Sequence, residues 1–126
     1  NCGPNQKLKM NKVLEYVNLS YMEEISGGDD GFKKDLIQIF LKQIPEFISN
    51  MHQFLSENKN DLLAKEAHTA KSSVLIFMME ESGSMLKRIQ LLAEENNTEP
   101  IPELLSQVET ALNGAQEELS EYLETL

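Results

Sequence analysis

Apolar side chains recur along this chain at alternating spacings of three and four residues, the period of a helix that buries one face and wets the other. The cleanest run closes the chain: Ile101, Leu104, Val108, Leu112, Ala115, Leu119, Tyr122 and Leu126. A longer segment from about Asp29 to Glu57 carries two neighbouring stripes, Ile37, Leu41, Ile44, Ile48, Met51 and Leu55 beside Leu36, Phe40, Phe47 and Phe54. A helix apolar over so wide an arc meets two neighbours rather than one. Two further helical patterns lie between these. One, over Asn60 to Met79, places Leu63, Ala67, Ala70, Val74, Phe77 and Met78 on a single side; the other, from about Ser82 to Glu95, groups Met85, Ile89 and Leu92, with Leu86 and Ala93 beside them. No stretch alternates with the period of two that a half-buried strand needs. Four long helices with short connections predict an all-α fold, an antiparallel up-down-up-down four-helix bundle.

Punctuation refines this. Ser20 followed by Glu23 fits a capping box, so a short extra N-terminal helix is expected from Tyr21 to Ile25, stopped by Gly27 and Gly28 and lying over one end of the bundle. Asp29 and Asp30 supply an N-cap and favourable charge for the long helix that follows, and Pro45 within that helix should bend it. Asn58 to Asn60 form a polar turn, Ser82-Gly83-Ser84 marks the next break, and Asn96 to Pro102 form a loop. Residues 1–12 are polar and without period, and are expected to be a flexible N-terminal segment, which leaves 13–126 as one bundle domain.

Composition narrows the partners. With 126 residues, 40% of them apolar, the chain suffices for one cored domain and is short for two. A net charge of -10 and a pI near 4.6 argue against nucleic acid or an anionic membrane surface as the main partner. Cys2 is the lone cysteine, no apolar run approaches the roughly 20 residues of a membrane helix, and no signal-peptide core precedes the domain, so the cytoplasm is the expected compartment. The methionines and phenylalanines sit at core spacing and call for no cofactor, and the acidic residues suit a solvated outer face.

One residue looks chemical rather than structural. At about 100° per residue, His68 lies roughly 140° from the middle of its helix's apolar stripe, so its ring projects into water. Lys71 at i+3, Ser72 at i+4, Leu75 at i+7, and Ala64 and Lys65 one turn back share its neighbourhood. A neutral imidazole with an exposed nitrogen is a competent nucleophile near pH 7, and phosphoryl transfer needs positioning and cations more than a strong base. Lys71 and Lys65 offer those cations. No Gly-rich nucleotide loop and no Mg²⁺ site accompany them, so phosphate and metal must arrive with a partner. The Glu-x-x-His pairs of di-metal bundles are absent, because Lys65 and Ser49 stand three residues before His68 and His52. His52 has Leu55 three residues on and no lysine nearby; it reads as an ordinary surface or boundary residue.

The run AHTAKS at Ala67 to Ser72, with DLIQIFLKQIPEFI and LSYMEEISGGDDGF before it, resembles histidine-containing phosphotransfer (HPt) domains of phosphorelay signalling, from about Val17 to the C-terminus. The resemblance implies that His68 accepts and donates a phosphoryl group and that Lys71 stabilises it. It implies a supporting role for Gln90, since family members often carry a glutamine on the following helix that bonds the histidine or its phosphate. Members usually have glycine where this chain has Ser72, giving a partner close access, and again where it has Met78, which is expected on the buried side filling space between helices. The implied partners are response-regulator receiver domains and a histidine or hybrid kinase, with Mg²⁺ on the receiver, docking over Ala64, Leu75 and part of the short N-terminal helix. The chain would then be a monomeric phosphocarrier with no nucleotide site of its own. Two alternatives stay open: an adaptor that kept the fold, binds a receiver or another signalling protein, and lost phosphotransfer, and a kinase dimerisation domain, against which four helices in one chain argue.

Overall fold

The computed structural model describes residues 14–126, so the segment expected to be flexible lies outside the described residues. Five helices follow in order: α1 (Ser20–Ser26), α2 (Asp30–Ser56), α3 (Asn60–Ile76), α4 (Glu80–Glu94) and α5 (Ile101–Leu123). Helices α2 to α5 form the antiparallel four-helix bundle and α1 is the short extra helix; no strand occurs among the described residues. The core is the one the periodicity predicts in outline. Ile37, Phe40, Ile44, Phe47 and Met51 of α2 meet Leu63, Ala67, Ala70 and Val74 of α3, Leu86, Ile89 and Ala93 of α4, and the run from Ile101 to Leu119 of α5. Phe77, beyond α3, stacks on Phe40 with ring centroids 4.7 Å apart, closing one end with Met22 of α1. On α5 it is Leu105 that is fully buried, while Leu104 is half-buried, a shift of one position around the helix.

Helix ends follow one device. After α2, α3 and α4 the chain turns through a residue in the left-handed region: Asn58 (φ 58°), Met78 (φ 56°) and Asn96 (φ 58°). In each, that residue's N–H bonds back three residues and the next N–H bonds back five: Met78 N to Leu75 O and Met79 N to Val74 O, both 3.1 Å, with Asn58 and Lys59, and Asn96 and Asn97, repeating the pattern. This double bond is the Schellman ending, which satisfies carbonyls that a helix terminus would otherwise orphan. Asparagine tolerates the left-handed region; methionine is the outlier.

This corrects the expected break. The chain turns at Phe77 to Met79, so α4 already begins at Glu80, and Ser82 and Gly83 lie buried inside its first turns. Gly83 is there for contact, not for turning: a Cβ on it would sit 2.9 Å from Leu75 Cδ2 and 3.9 Å from Lys71 Cγ, so its bare backbone makes room for these two α3 side chains. Met78 is likewise not a buried filler, being 38% exposed beyond the helix end. At the start of α2, Asp29 Oδ1 accepts from Gly31 N at 3.0 Å, as predicted, and the helix continues through Pro45.

The predicted capping box at α1 does not form, because Glu23 is engaged elsewhere. Ser20 N donates to Asn18 Oδ1 instead, and the Glu23 carboxylate accepts from buried Lys33 Nζ at 3.0 and 3.1 Å and from Tyr122 Oη at 3.0 Å. Asp30 completes the cluster at 3.3 Å from Lys33, and the Glu23 carboxylate ties α1 to both α2 and α5. The segment before α1 is strapped down as well. The Glu118 carboxylate accepts from the backbone N–H groups of Glu15, Tyr16 and Val17, Asn18 N donates to Phe77 O at 3.0 Å, and the Tyr16 ring lies where a Cβ on Gly114 would be.

Two outcomes follow from these contacts. Met78→Gly removes the left-handed penalty of about 1–2 kcal/mol but gives up part of it to chain entropy. It should therefore raise unfolding free energy in urea by roughly 0.5–1 kcal/mol, with Asn58→Gly near zero as the control. The Lys33 hydrogen bond holds Glu23 below the usual carboxylate range, while the bond to Glu23 raises Lys33 and burial raises Tyr122. The Glu23 contribution is present above the unfolded carboxylate pKa of about 4.3 and is lost as pH falls through its depressed value; the Lys33 and Tyr122 contributions hold below about pH 10 and are lost above it. Unfolding free energy measured from pH 3 to 11 should fall on both flanks, and Lys33→Met should flatten the acid flank, where Glu23 loses its main partner, while costing about 1 kcal/mol at neutral pH.

Candidate functional site

The pairing of α3 with α4 builds the site. His68 stands on the exposed side of α3, as its position on the helical wheel predicts. Across the gap, Gln90 of α4 meets the ring, with Oε1 3.3 Å from His68 Nδ1. The other end of that amide, Nε2, donates to Glu94 Oε2 at 3.1 Å, one turn further along α4. A carboxylate only accepts, so the Gln90 amine faces Glu94 and its carbonyl faces the ring. A carbonyl cannot donate, so the contact is a hydrogen bond when the proton sits on Nδ1, the tautomer that leaves the Nε2 lone pair of neutral His68 unprotonated. Nε2 has no hydrogen-bond partner among the described residues.

The neighbours divide into cations, small residues and an apolar rim. Lys65 is exposed and Lys71 half-buried, its stem lying over Gly83, and neither ammonium has a hydrogen bond or ion pair among the described residues. Ser72 turns its hydroxyl back to His68 O at 3.3 Å, the bond a helical serine makes to the carbonyl four residues before it, so it adds little bulk and aims no donor outward. A shallow groove beside the ring is lined by Asp61, Ala64, Lys65, Thr69, Gln90 and Glu94. Ala64 forms its floor rather than an exposed docking contact, being 5% exposed and part of the core; this corrects its expected place on the surface. Its methyl points into the α3 stripe, where small side chains let the helices close. Leu75 is 43% exposed as expected, and with Tyr21 of α1, Ser72 and Met78 it borders a second groove one to two turns from His68.

His52 is exposed and pairs with Glu109 of α5 at 2.8 Å, a contact between bundle helices that leaves it apart from this site. Glu94 is the site residue that sequence reasoning missed, and Tyr21 is the residue through which the short N-terminal helix joins the expected docking surface. The Gln90–Glu94 pair was readable as an i,i+4 contact; Tyr21 needed the packing of α1 against the bundle. No group of three or more metal-ligating side chains converges among the described residues, and no helix there is long and apolar enough to cross a membrane.

Comparison with known proteins agrees with this geometry. The family model described as Hpt domain matches residues 35–126, which takes in α2 from its second turn through α5 and every residue lining the groove beside His68. Phosphorelay intermediate protein YPD1 of Candida albicans is 24% identical over 85 residues, covering 68% of this chain and 46% of the relative. The chain thus spans less than half the length of that curated relative. No solved structure matches.

Proposed function

The chain belongs to the Hpt domain family, and from that premise we propose that it is a phosphorelay intermediate, taking a phosphoryl group from a receiver-domain aspartate onto His68 and passing it to a second receiver. The observation that carries this proposal is the outward Nε2 of His68, with Nδ1–H held by Gln90. The Nε2 lone pair attacks phosphorus in line; the N–P bond forms as the bond from phosphorus to the aspartyl oxygen breaks, and the electron pair leaves with the donor carboxylate. Positive charge that builds on the ring strengthens the Nδ1–H bond to the Gln90 carbonyl. In the second step an aspartate of the acceptor receiver attacks the same phosphorus, the N–P bond breaks, and the pair returns to Nε2.

The transition state is loose and spreads charge over three equatorial oxygens, so preorganised cations lower the barrier most. Lys71 and Lys65, without carboxylate partners among the described residues, supply part of that charge. Mg²⁺ belongs to the receiver. No proton is removed from His68 in the attack, so no general base is required. Receiver docking uses the apolar rim of Tyr21, Leu75 and Met78, one to two turns along α3 from the ring. On this proposal the chain is a monomeric phosphocarrier acting between a histidine or hybrid kinase and response regulators, and the adaptor alternative draws on Ser72 and Met78 standing where relatives carry glycine.

Incubation with a phosphorylated receiver should give an acid-labile label on the wild type and none on His68→Gln; receiver binding without label would favour the adaptor. Lys71→Ala should slow labelling about tenfold, the effect of roughly 1.4 kcal/mol of transition-state charge stabilisation, with receiver binding little changed. Leu75→Asp should act the other way round, weakening receiver binding about tenfold in calorimetry while leaving saturated labelling near the wild-type rate.

A further inference from the structure

We propose that Glu94 is a positioning residue, which keeps the Gln90 amide in one orientation and thereby holds His68 in the tautomer whose outer nitrogen is free to react. This rests on the phosphotransfer role of His68 for its consequence, while the tautomer can be read with no partner present. A glutamine amide is nearly two-fold in shape, and its ends bond in opposite senses. With the carbonyl toward the ring it accepts from Nδ1–H; with the amine toward the ring it donates to a bare Nδ1, which moves the proton to Nε2 and blocks the nucleophile. Gln90 alone therefore supports both tautomers. Glu94 removes the symmetry, because its carboxylate has no proton to give and takes the amide Nε2 at 3.1 Å, one turn along the same helix.

The helix dipole does not account for a carboxylate at this position. Glu94 is exposed and is the last residue of α4, where the helix dipole disfavours negative charge. Its side chain instead lines the groove beside His68 together with Gln90. The chain of contacts Glu94, Gln90, His68 has the logic of a base oriented by a third group, built here from a neutral amide in the middle position. Because these side chains are partly wet, the expected effect is that of a single hydrogen bond, about 2- to 10-fold in tautomer ratio.

Histidine ¹⁵N spectra at about pH 8.5, where an ordinary imidazole is neutral, give the tautomer directly. The wild type should show mainly Nδ1–H for His68. Glu94→Ala, folded by circular dichroism, should lower the ratio of Nδ1–H to Nε2–H by about 2- to 10-fold and slow labelling by a receiver by a similar factor. Adding Gln90→Glu to Glu94→Ala should restore Nδ1–H, since a carboxylate at position 90 can only accept. A wild type that is mainly Nε2–H, a ratio that Glu94→Ala leaves unmoved, or a double variant without restoration would each overturn the proposal. If the ratio moves as expected but a phosphorylated receiver never labels the wild type, the phosphotransfer role fails and the Glu94 assignment stands.

Discussion

The register of the α3–α4 hairpin is the constraint on which the site depends. The turn at Phe77 to Met79 sets which residues of the two helices lie opposite one another, and the contacts are symmetric about it. Leu75 and Gly83 stand four residues to either side of Met79, and His68 and Gln90 stand eleven to either side. Asn60 and Asn96 meet near the far end, through Asn60 Nδ2 and Asn96 Oδ1 at 3.0 Å. A turn longer or shorter by one residue would rotate α4 by about 100° relative to α3 and take Gln90 away from the ring. Gly83 then gives the Leu75 side chain a place to lie against α4 close to the turn.

That constraint also explains what was legible in the sequence and what was not. Helix existence, order and core faces follow from apolar spacing alone, and the outward direction of His68 follows from its angle to the stripe. The hairpin register does not. Ser82-Gly83-Ser84 carries every local mark of a turn, yet it lies inside α4, because the Schellman bonds of Met78 and Met79 close α3 earlier and tight helix contact claims Gly83. Tertiary packing thus overrode local turn chemistry. The same override removed the Ser20–Glu23 capping box, since the buried ammonium of Lys33 draws Glu23 more strongly than a helix terminus does. Gln90 was placed by family resemblance, and no spacing rule across an unmeasured turn would have found it. Ala64 was placed outward because it is one turn from His68, while its buried methyl shows how narrow the exposed strip of α3 is.

The N-terminal segment and α1 matter to the site through where they are anchored. Glu118 gathers three backbone N–H groups, Asn18 reaches the carbonyl of Phe77 in the hairpin turn, and Lys33 fastens Glu23 to α2 with Tyr122 of α5 joining in. These are polar contacts spread over α2, α5 and the α3–α4 turn, and a helix of seven residues would not hold a fixed place on its one buried methionine alone. Their joint effect is to set Tyr21 beside Leu75 and Met78, so an apolar rim forms from elements far apart in sequence.

Met78 joins the two halves of this account. It occupies the left-handed position of the hairpin turn, where glycine or asparagine is the unstrained choice and where α2 and α4 both use asparagine. A methionine there costs stability and keeps a flexible thioether chain 38% exposed on the rim of the groove beside Ser72. Strain of this kind persists where surrounding contacts over-determine the backbone, and here they do: Met78 N and Met79 N are both bonded, and Phe77 is stacked on Phe40 and tied to Asn18. If a receiver docks on this rim, the side chain contributes soft apolar surface that glycine cannot offer. A glycine at this position and the methionine found here are then two settlements of one conflict, between an unstrained turn and a larger contact surface.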